Sequence, residues 1–324
     1  MNKFIPNYYK EFECIAKLCP DSCCQGWDVV VDENSENYYN SLKGDFADKI
    51  KEVTVTDEDG DRIFTLTDKR CPFWNKDKLC DIYINLGEEH LCDTCRNFPR
   101  ITMDYECFTE YTLSLACPKA AELILGEDFI FPLSNYKIKN TEYHPYLMRL
   151  LLSARNRSKD IITERGIPFK KRLKNLLGFN VAIQDQVFNK KEEHFKGDDL
   201  SFIFDIHEGL DFINPEYAEI IKKAEGSTIS SEYDDVFTRL AVYYIYRYYL
   251  NAVETKNVLS TIKRIFCAYI ITGSIAASET EPDLIRIIQN YSKEVEHSYE
   301  NAETLELLFE SDERFSAFNL AGFI

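Results

Sequence analysis

The sequence predicts a mainly α-helical protein in two parts. Residues 1–126 form an irregular cysteine-rich region with a few short strands, and residues 127–324 form an α-helical domain. Two observations predict this division. Ten of the eleven cysteines lie between Cys14 and Cys117. After Gly126, apolar residues recur three or four positions apart, which is typical of one face of an α-helix. With 324 residues, 45% of them hydrophobic, the chain can bury a substantial core.

Short elements are predicted in the cysteine-rich region. A helix is expected over residues 33–51, where apolar side chains recur every four positions. Strands are expected over residues 62–68, where apolar and polar side chains alternate, and over residues 108–115. A helix over residues 119–125 follows a proline, which the first turn of a helix tolerates.

The second part has the periodicity of core-facing helices. Helices are predicted over residues 146–155, 168–177, 215–224, 234–253, 258–277 and 281–295. The tyrosine-rich stretch at 243–249 is predicted to bury its rings and to direct its hydroxyls toward polar partners. The basic residues between Arg149 and Lys174 are predicted to form a solvated helix face.

Charge and the N-terminal residues limit the function classes. The formal net charge of −17 argues against generic nucleic-acid binding and against anionic membrane surfaces. The first residues lack the apolar stretch of a signal peptide. The longest apolar run, residues 265–277, is too short to span a bilayer. We therefore expect a cytoplasmic protein with neither nucleic acid nor membrane among its partners.

Cysteine chemistry is the main functional signal. In a reducing compartment, clustered cysteines indicate metal binding or redox chemistry rather than disulfides, so this region is predicted to bind metal. The candidate ligands are Cys14, Cys19, Cys23, Cys24, Cys71, Cys80, Cys92, Cys95 and Cys117. Thiolates suit both zinc and iron–sulfur clusters, so spacing leaves both metals open. Cys107 is as compatible with a buried hydrophobe as with a ligand, and Cys267 is predicted to be structural.

The cysteine pattern resembles a known family. The segments Cys14-IAKL-Cys19-PDS-Cys23-Cys24-QGW, Cys71-PFWNKDKL-Cys80, Cys92-DT-Cys95-RNFPR and LSLA-Cys117-P resemble those of flagellin lysine-N-methylases, which belong to the CxxCxxCC group of zinc- or iron-chelating domains. The resemblance covers about residues 8–126, and the helical remainder matches in character and length. It implies an enzyme that transfers methyl groups from S-adenosylmethionine to surface lysines of flagellin. It also implies a cysteine-bound 4Fe-4S cluster, with zinc as the alternative.

Arg96 and Arg100 follow the CxxC pair directly. A guanidinium there could clamp the carboxylate of S-adenosylmethionine or neutralise an anionic metal site, so both arginines are candidate cofactor-binding residues. No Gly-rich strand–helix turn of the Rossmann type is present, and Gly26 stands where the radical-cluster motif needs its third cysteine. No catalytic base can be assigned.

Two other functions stay open. One is a zinc-stabilised protein-interaction module without catalytic activity, in which the cysteines only fold the N-terminal part. The other is a metal-delivery or redox protein.

Overall fold

The computed structural model describes residues 2–128, 143–191, 195–197 and 199–322. It confirms the mainly helical fold, and the strands in the described residues all precede Ser114.

Six short strands form two sheets. They are β1 (Asn2–Phe4), β2 (Val29–Val30), β3 (Thr54–Thr56), β4 (Arg62–Phe64), β5 (Arg100–Asp104) and β6 (Phe108–Leu113). One sheet has the order β1-β6-β5, with β1 parallel and β5 antiparallel to β6, and Arg100 pairs with Leu113. The antiparallel order β2-β4-β3 forms the other. The strand predicted over residues 62–68 ends at Phe64, because Asp68 and Lys69 adopt φ angles of 52° and 59° and turn the chain.

The cysteine-rich region also contains short helices. They are α1 (Asn7–Glu11), α2 (Glu33–Ser41), α3 (Asp45–Val53), α4 (Asp81–Leu86), α5 (Asp93–Asn97) and α6 (Pro118–Gly126). The prediction of one helix over residues 33–51 is wrong, because two helices occupy this stretch. Gly44 separates them with a φ of 100°, a conformation that glycine adopts without a Cβ clash. Asp32 caps α2 by accepting the amide hydrogen of Ser35.

The second part is built from longer helices. They are α7 (Pro145–Ile162), α8 (Phe169–Phe188), α9 (Ser201–Glu208), α10 (Tyr217–Ala224), α11 (Asp234–Tyr248), α12 (Ala252–Thr255), α13 (Leu259–Ser278), α14 (Leu284–Tyr291), α15 (Tyr299–Ser311) and α16 (Ala317–Gly322). The helix predicted over residues 234–253 is divided by a 3-10 turn at Tyr249–Asn251. The last predicted helix is α14, which continues into a π-helical turn at Ser292–Glu296. Such turns occur frequently at functional sites.

Helix α13 forms the centre of the main apolar core. By length and composition this helix could cross a membrane, whereas the apolar run over residues 265–277 is too short to do so. The apolar stretch of α13 is, however, fully buried inside the protein. The same core contains Leu113 at the end of β6, Leu115 just after it and Ile124 of α6. The division into domains at residue 126 therefore stays a prediction, since apolar side chains from both sides of the boundary share one core.

Arg155 and His207 are fully buried and have specific polar partners. Arg155 of α7 binds both carboxylate oxygens of Glu110 at 2.7 Å, and neither side chain is exposed. The prediction of a solvated basic face is therefore wrong at Arg155, and also at Arg172, which is buried and donates to the carbonyl of Ile167. His207 of α9 donates from Nδ1 to the carbonyl of Ile203 at 2.6 Å, so its Nε2 accepts from the hydroxyl of Tyr291 at 3.1 Å. Burial lowers the pKa of His207 from 6.5 to about 4.

Candidate metal centre

Five of the candidate ligands line one apolar cluster of the N-terminal part. They are Cys24, Cys71, Cys80, Cys92 and Cys95. The cluster also contains Tyr39, Ile50 and Phe73, from three separate stretches of the chain. Two of these cysteines precede short helices, Cys80 before α4 and Cys92 before α5. The fold thus brings together thiols that are far apart in sequence.

The other four candidates lie near enough to one another to affect each other's pKa. Cys14, Cys19 and Cys23 lie on one loop, and Cys117 stands at the N-cap position of α6. The charges of Cys14 and Cys23 raise the pKa of Cys19, after the larger effect of burial. The charges of Cys19 and Cys23 act in the same direction on Cys117. Cys23 also connects the two groups through a hydrogen bond with Cys24, which raises the pKa of Cys23 strongly.

The pKa values describe thiols that lack a neutralising cation. Burial raises the pKa of Cys71 to about 11 and that of Cys117 to about 12. A mutual hydrogen bond lowers the pKa of Cys92 and raises that of Cys95. The thiols of Cys71 and Cys117 are therefore mainly protonated near neutral pH, whereas metal ligation requires thiolates. A soft cation would supply the missing positive charge, so the donor set fits zinc or an iron–sulfur cluster in its chemistry.

The geometry does not itself define a metal site. Across the described parts of the chain, no three His, Cys, Asp or Glu side chains form a group that could hold a metal ion. The nine cysteine ligands and the identity of the metal therefore stay predictions. All eleven cysteines lie within the described residues, and each is a free thiol.

The two cysteines with ambiguous or structural roles differ in their surroundings. Cys267 is fully buried in the main core, and burial raises its pKa to about 12, in keeping with a structural role. Cys107 is half-buried and packs against a second apolar cluster that includes Met103 and Phe108.

The two candidate cofactor-binding arginines lie on the surface after the CxxC pair. The guanidinium of Arg96 pairs with Asp93 and also donates to the carbonyl of Glu89 at 3.4 Å. Arg100 lies over the ring of Phe12, with its guanidinium carbon 5.1 Å from the ring centroid. Their proposed roles stay predictions.

A polar contact that sequence reasoning missed joins the cysteine loop to the helical part. Asp21, between Cys19 and Cys23, accepts a hydrogen bond from Lys293 Nζ at 2.8 Å. Gln289 Nε2 donates to the same carboxylate at 3.2 Å, and Arg286 lies 3.8 Å from it. These charges and hydrogen bonds keep the pKa of Asp21 below its usual value despite burial, which acts in the opposite direction. No sequence signal links these residues, because about 270 positions separate them.

Three aromatic rings meet beside this contact. The ring centroids of Trp27 and His297 are 4.6 Å apart, and Phe98 lies 5.6 Å from each of them. Lys293 Nζ lies 5.2 Å from the centroid of the Trp27 ring. We call Trp27, Phe98, Lys293 and His297 the seam, because they join the cysteine-rich region to the helical part.

The π-helical turn also presents a carboxylate to the tyrosine-rich helix α11. Glu296 accepts hydrogen bonds from Tyr248, from Tyr244 at 3.3 Å and from Tyr243 at 3.5 Å. Ser292 donates to the same carboxylate at 2.8 Å. The prediction that these tyrosines are core residues whose hydroxyls reach a polar partner is confirmed.

Comparisons with known proteins identify the class of the helical part. Residues 165–323 match the FliB lysine N-methylase C-terminal domain. Lysine-N-methylases of Salmonella typhimurium and Salmonella choleraesuis are 28% identical over 147 and 139 residues, which are 41% of this chain and 35% of each relative. The flagellar biosynthetic protein FliU of Salmonella muenchen is 28% identical over 136 residues, 38% of this chain and 76% of that relative. No solved structure matches.

Residues 165–323 are similar to the FliB lysine N-methylase C-terminal domain, and this match confirms the resemblance of the chain to flagellin lysine-N-methylases. The family match lies in the helical part, whereas the cysteine pattern gives the stronger resemblance in residues 8–126. The chain spans about a third of the length of the curated lysine-N-methylases that it matches.

Proposed function

We propose that the protein is a protein-lysine N-methyltransferase that transfers methyl groups from S-adenosylmethionine to surface lysines of flagellin. The observation that carries this proposal is the match of residues 165–323 to a lysine N-methylase domain. The names of the relatives support a flagellar role. A cytoplasmic location, without nucleic-acid or membrane partners, is part of the same proposal.

The proposed reaction requires a neutral amine. The lone pair of the lysine nitrogen forms a bond to the methyl carbon as the carbon–sulfur bond breaks, and the sulfonium leaves as a neutral thioether. An ammonium group has no lone pair, so the lysine must first lose a proton. An environment poor in water lowers the pKa of a lysine. The rings of Trp27, Phe98 and His297 would exclude water beside the cysteine loop.

The N-terminal cysteines are proposed to hold an iron–sulfur cluster. The five cysteines of the apolar cluster and the loop group with Cys117 supply more thiols than one cluster needs. When bound, such a cluster supplies an electron carrier or an iron atom that accepts polar ligands. On the protein side, the contact between Asp21 and Lys293 holds the loop group against the family-matched helices.

A methylation assay tests the function directly. Anaerobically purified protein is incubated with flagellin, with and without S-adenosylmethionine, and flagellin peptides are analysed by mass spectrometry. We expect lysine peptides to gain the mass of one methylene group only when the donor is present. Cys92→Ala should abolish the gain, whereas Cys267→Ala, a matched loss of a buried thiol, should retain it. If no lysine is modified by the wild-type protein, the proposal is wrong.

A zinc-stabilised interaction module is the second candidate. It is favoured by the five cysteines in the apolar cluster of the N-terminal part, since structural zinc sites stabilise small folds. Metal analysis separates the two candidates. Brown protein containing iron and acid-labile sulfide supports the enzyme, and colourless protein with stoichiometric zinc and no methylation supports the module.

A further inference from the structure

Gln289 of α14 is a fully buried side chain whose amide connects the helical part to two segments of the cysteine-rich region. Its Nε2 donates to the carboxylate of Asp21 at 3.2 Å and to the carbonyl of Ala116 at 2.8 Å. Its Oε1 accepts a hydrogen bond from Arg286. An amide nitrogen carries two hydrogens, so both are used, and each is used on a different segment.

Both acceptors adjoin candidate metal ligands. Asp21 stands between Cys19 and Cys23, and Ala116 directly precedes Cys117. Because one nitrogen atom lies within hydrogen-bond distance of both acceptors, the loop and the segment of Cys117 must lie side by side. A single side chain of the helical part therefore fixes how these two segments meet.

The loop is also held on either side of Cys23. Before it, Asp21 accepts a hydrogen bond from Lys293 Nζ at 2.8 Å. After it, the carbonyl of Cys24 accepts the amide hydrogen of Cys71 at 2.9 Å. Cys23 therefore lies between a segment bound to the helical part and a segment bound to the apolar cluster of cysteines.

Groups that orient metal ligands usually matter nearly as much as the ligands themselves, and their loss weakens metal binding by about 10- to 100-fold. In the described stretches of the chain, three donors do not yet form a metal-binding group, so a cation would have to draw the sulfur atoms together. Gln289 fixes the backbone that carries these sulfurs. The cation then meets segments that are already ordered, which lowers the entropic cost of binding it.

A second buried glutamine makes equivalent bonds elsewhere. Gln184 of α8 is 4% exposed, its Nε2 donates to the carbonyl of Lys256 at 2.9 Å, and its Oε1 accepts the amide hydrogen of Val258 at 2.9 Å. Both partners belong to the helical part. The two glutamines therefore resemble each other in burial and hydrogen bonding, and they differ in whether they hold cysteine segments.

We propose that Gln289 is a positioning residue of the metal centre, which holds Cys19 and Cys23 beside Cys117 so that these three thiols act as one ligand set. The family-matched helical part thereby completes a site whose ligands all lie in the cysteine-rich region. This inference deepens the proposed function and rests on its metal centre. It depends neither on methyl transfer nor on whether the native metal is iron or zinc.

Zinc binding tests the role of Gln289, because thiolates bind zinc whichever metal is native. Metal-free full-length protein is titrated anaerobically with Zn²⁺ in competition with a chromophoric chelator, and cysteine alkylation is mapped by mass spectrometry. In the wild type, zinc should protect the three thiols of the set. Gln289→Met should weaken zinc binding at this set about 10- to 100-fold and leave the three thiols reactive at limiting zinc. Cys80 and Cys95, outside the set, should keep their protection.

Two controls separate positioning from stability. Gln184→Met removes equivalent buried hydrogen bonds, so it should lower the melting temperature about as much as Gln289→Met but leave zinc affinity and protection unchanged. Gln289→Glu keeps the shape of the side chain but cannot donate and repels Asp21, so it should also weaken zinc binding. Adding Asp21→Asn exchanges donor and acceptor and should restore part of the affinity. This pair of variants keeps the test decisive if Gln289→Met does not fold.

The outcomes separate this inference from the proposed function. It is overturned if zinc leaves the three thiols reactive in the wild type, or if Gln289→Met and Gln289→Glu protect them as the wild type does. Equal loss of protection in Gln184→Met also overturns it, because general destabilisation would have that effect. If the variants behave as expected in a protein that methylates no flagellin lysine, the positioning role stands and the proposed methyl transfer fails.

Discussion

Replacing Lys293 with methionine should loosen the cysteine loop from the helical part. Methionine keeps most of the length and apolar volume of the side chain but removes the charge that faces Asp21. The two side chains are only 8% and 16% exposed, and the ionic contact is 2.8 Å long. The contribution of this ion pair to stability should therefore resemble that of a buried pair more than that of an exposed pair.

The expected magnitude follows from these values. At an effective dielectric constant of about 20, charges 2.8 Å apart attract by roughly 6 kcal/mol before desolvation is subtracted. Breaking fully buried pairs costs about 3–5 kcal/mol, and exposed pairs contribute about 0–1 kcal/mol. Because Gln289 and Arg286 still face Asp21 in the variant, we expect Lys293→Met to lower the free energy of unfolding by about 2–4 kcal/mol.

Guanidinium titration of Lys293→Met, Asp21→Asn and the double variant measures this coupling. The coupling free energy should be about 1.5–3 kcal/mol. The control is Lys119→Met, which removes an exposed pair with Glu122 and should change stability by less than about 1 kcal/mol. Hydrogen exchange over residues 14–24 should accelerate in Lys293→Met. A coupling energy near zero, or equal effects of Lys293→Met and Lys119→Met, would refute the reasoning.

Three further predictions concern buried groups. Arg155→Met should lower the free energy of unfolding by about 3–5 kcal/mol in denaturant titrations, because it leaves the carboxylate of Glu110 buried without its cation. Adding Glu110→Gln should restore part of this loss, and no restoration would contradict the pairing of the two residues. The pKa of His207 is about 4 in the folded protein and 6.5 in the unfolded chain, so the unfolded state takes up the proton first as the pH falls. The free energy of unfolding should therefore decrease by about 3 kcal/mol between pH 6.5 and pH 4, and His207→Gln should lack this decrease in melts recorded over a pH series. Cys267→Ala should leave the metal content per chain unchanged whereas Cys92→Ala should lower it, and equal losses in elemental analysis would argue against a ligand role specific to Cys92.

Local periodicity located α7, α8, α10, α11, α13 and α14, because its signal is contained within each helix, but α9, α15 and α16 were not predicted. The apolar stripe of α13 gave its position to within one residue at each end, since a helix buried on all sides needs apolar side chains along its whole length. The prediction was wrong at Gly44, where one residue with a positive φ divides two helices. Periodicity over residues 33–51 continues across that break, so the pattern of apolar residues could not reveal it.

Other features were invisible because they depend on partners far away in the chain. Arg155 belongs to a basic stretch that has the composition of a solvated helix face, and only its contact with Glu110 distinguishes it from exposed neighbours. The seam likewise combines Trp27, Phe98 and His297 from three distant segments. A sequence pattern reports the residues on one face of one element, and it contains no information on which other element will cover that face.

The sequence by itself determined the helical class of this protein and the chemistry of its cysteines, because helical periodicity and thiol ligation are properties of short segments. Tertiary structure alone decided that Asp21 meets Lys293, and that the carboxylate of Glu296 is shared among tyrosines. Both outcomes depend on long-range packing, in which the position of each charged group is set by the burial of many apolar side chains around it.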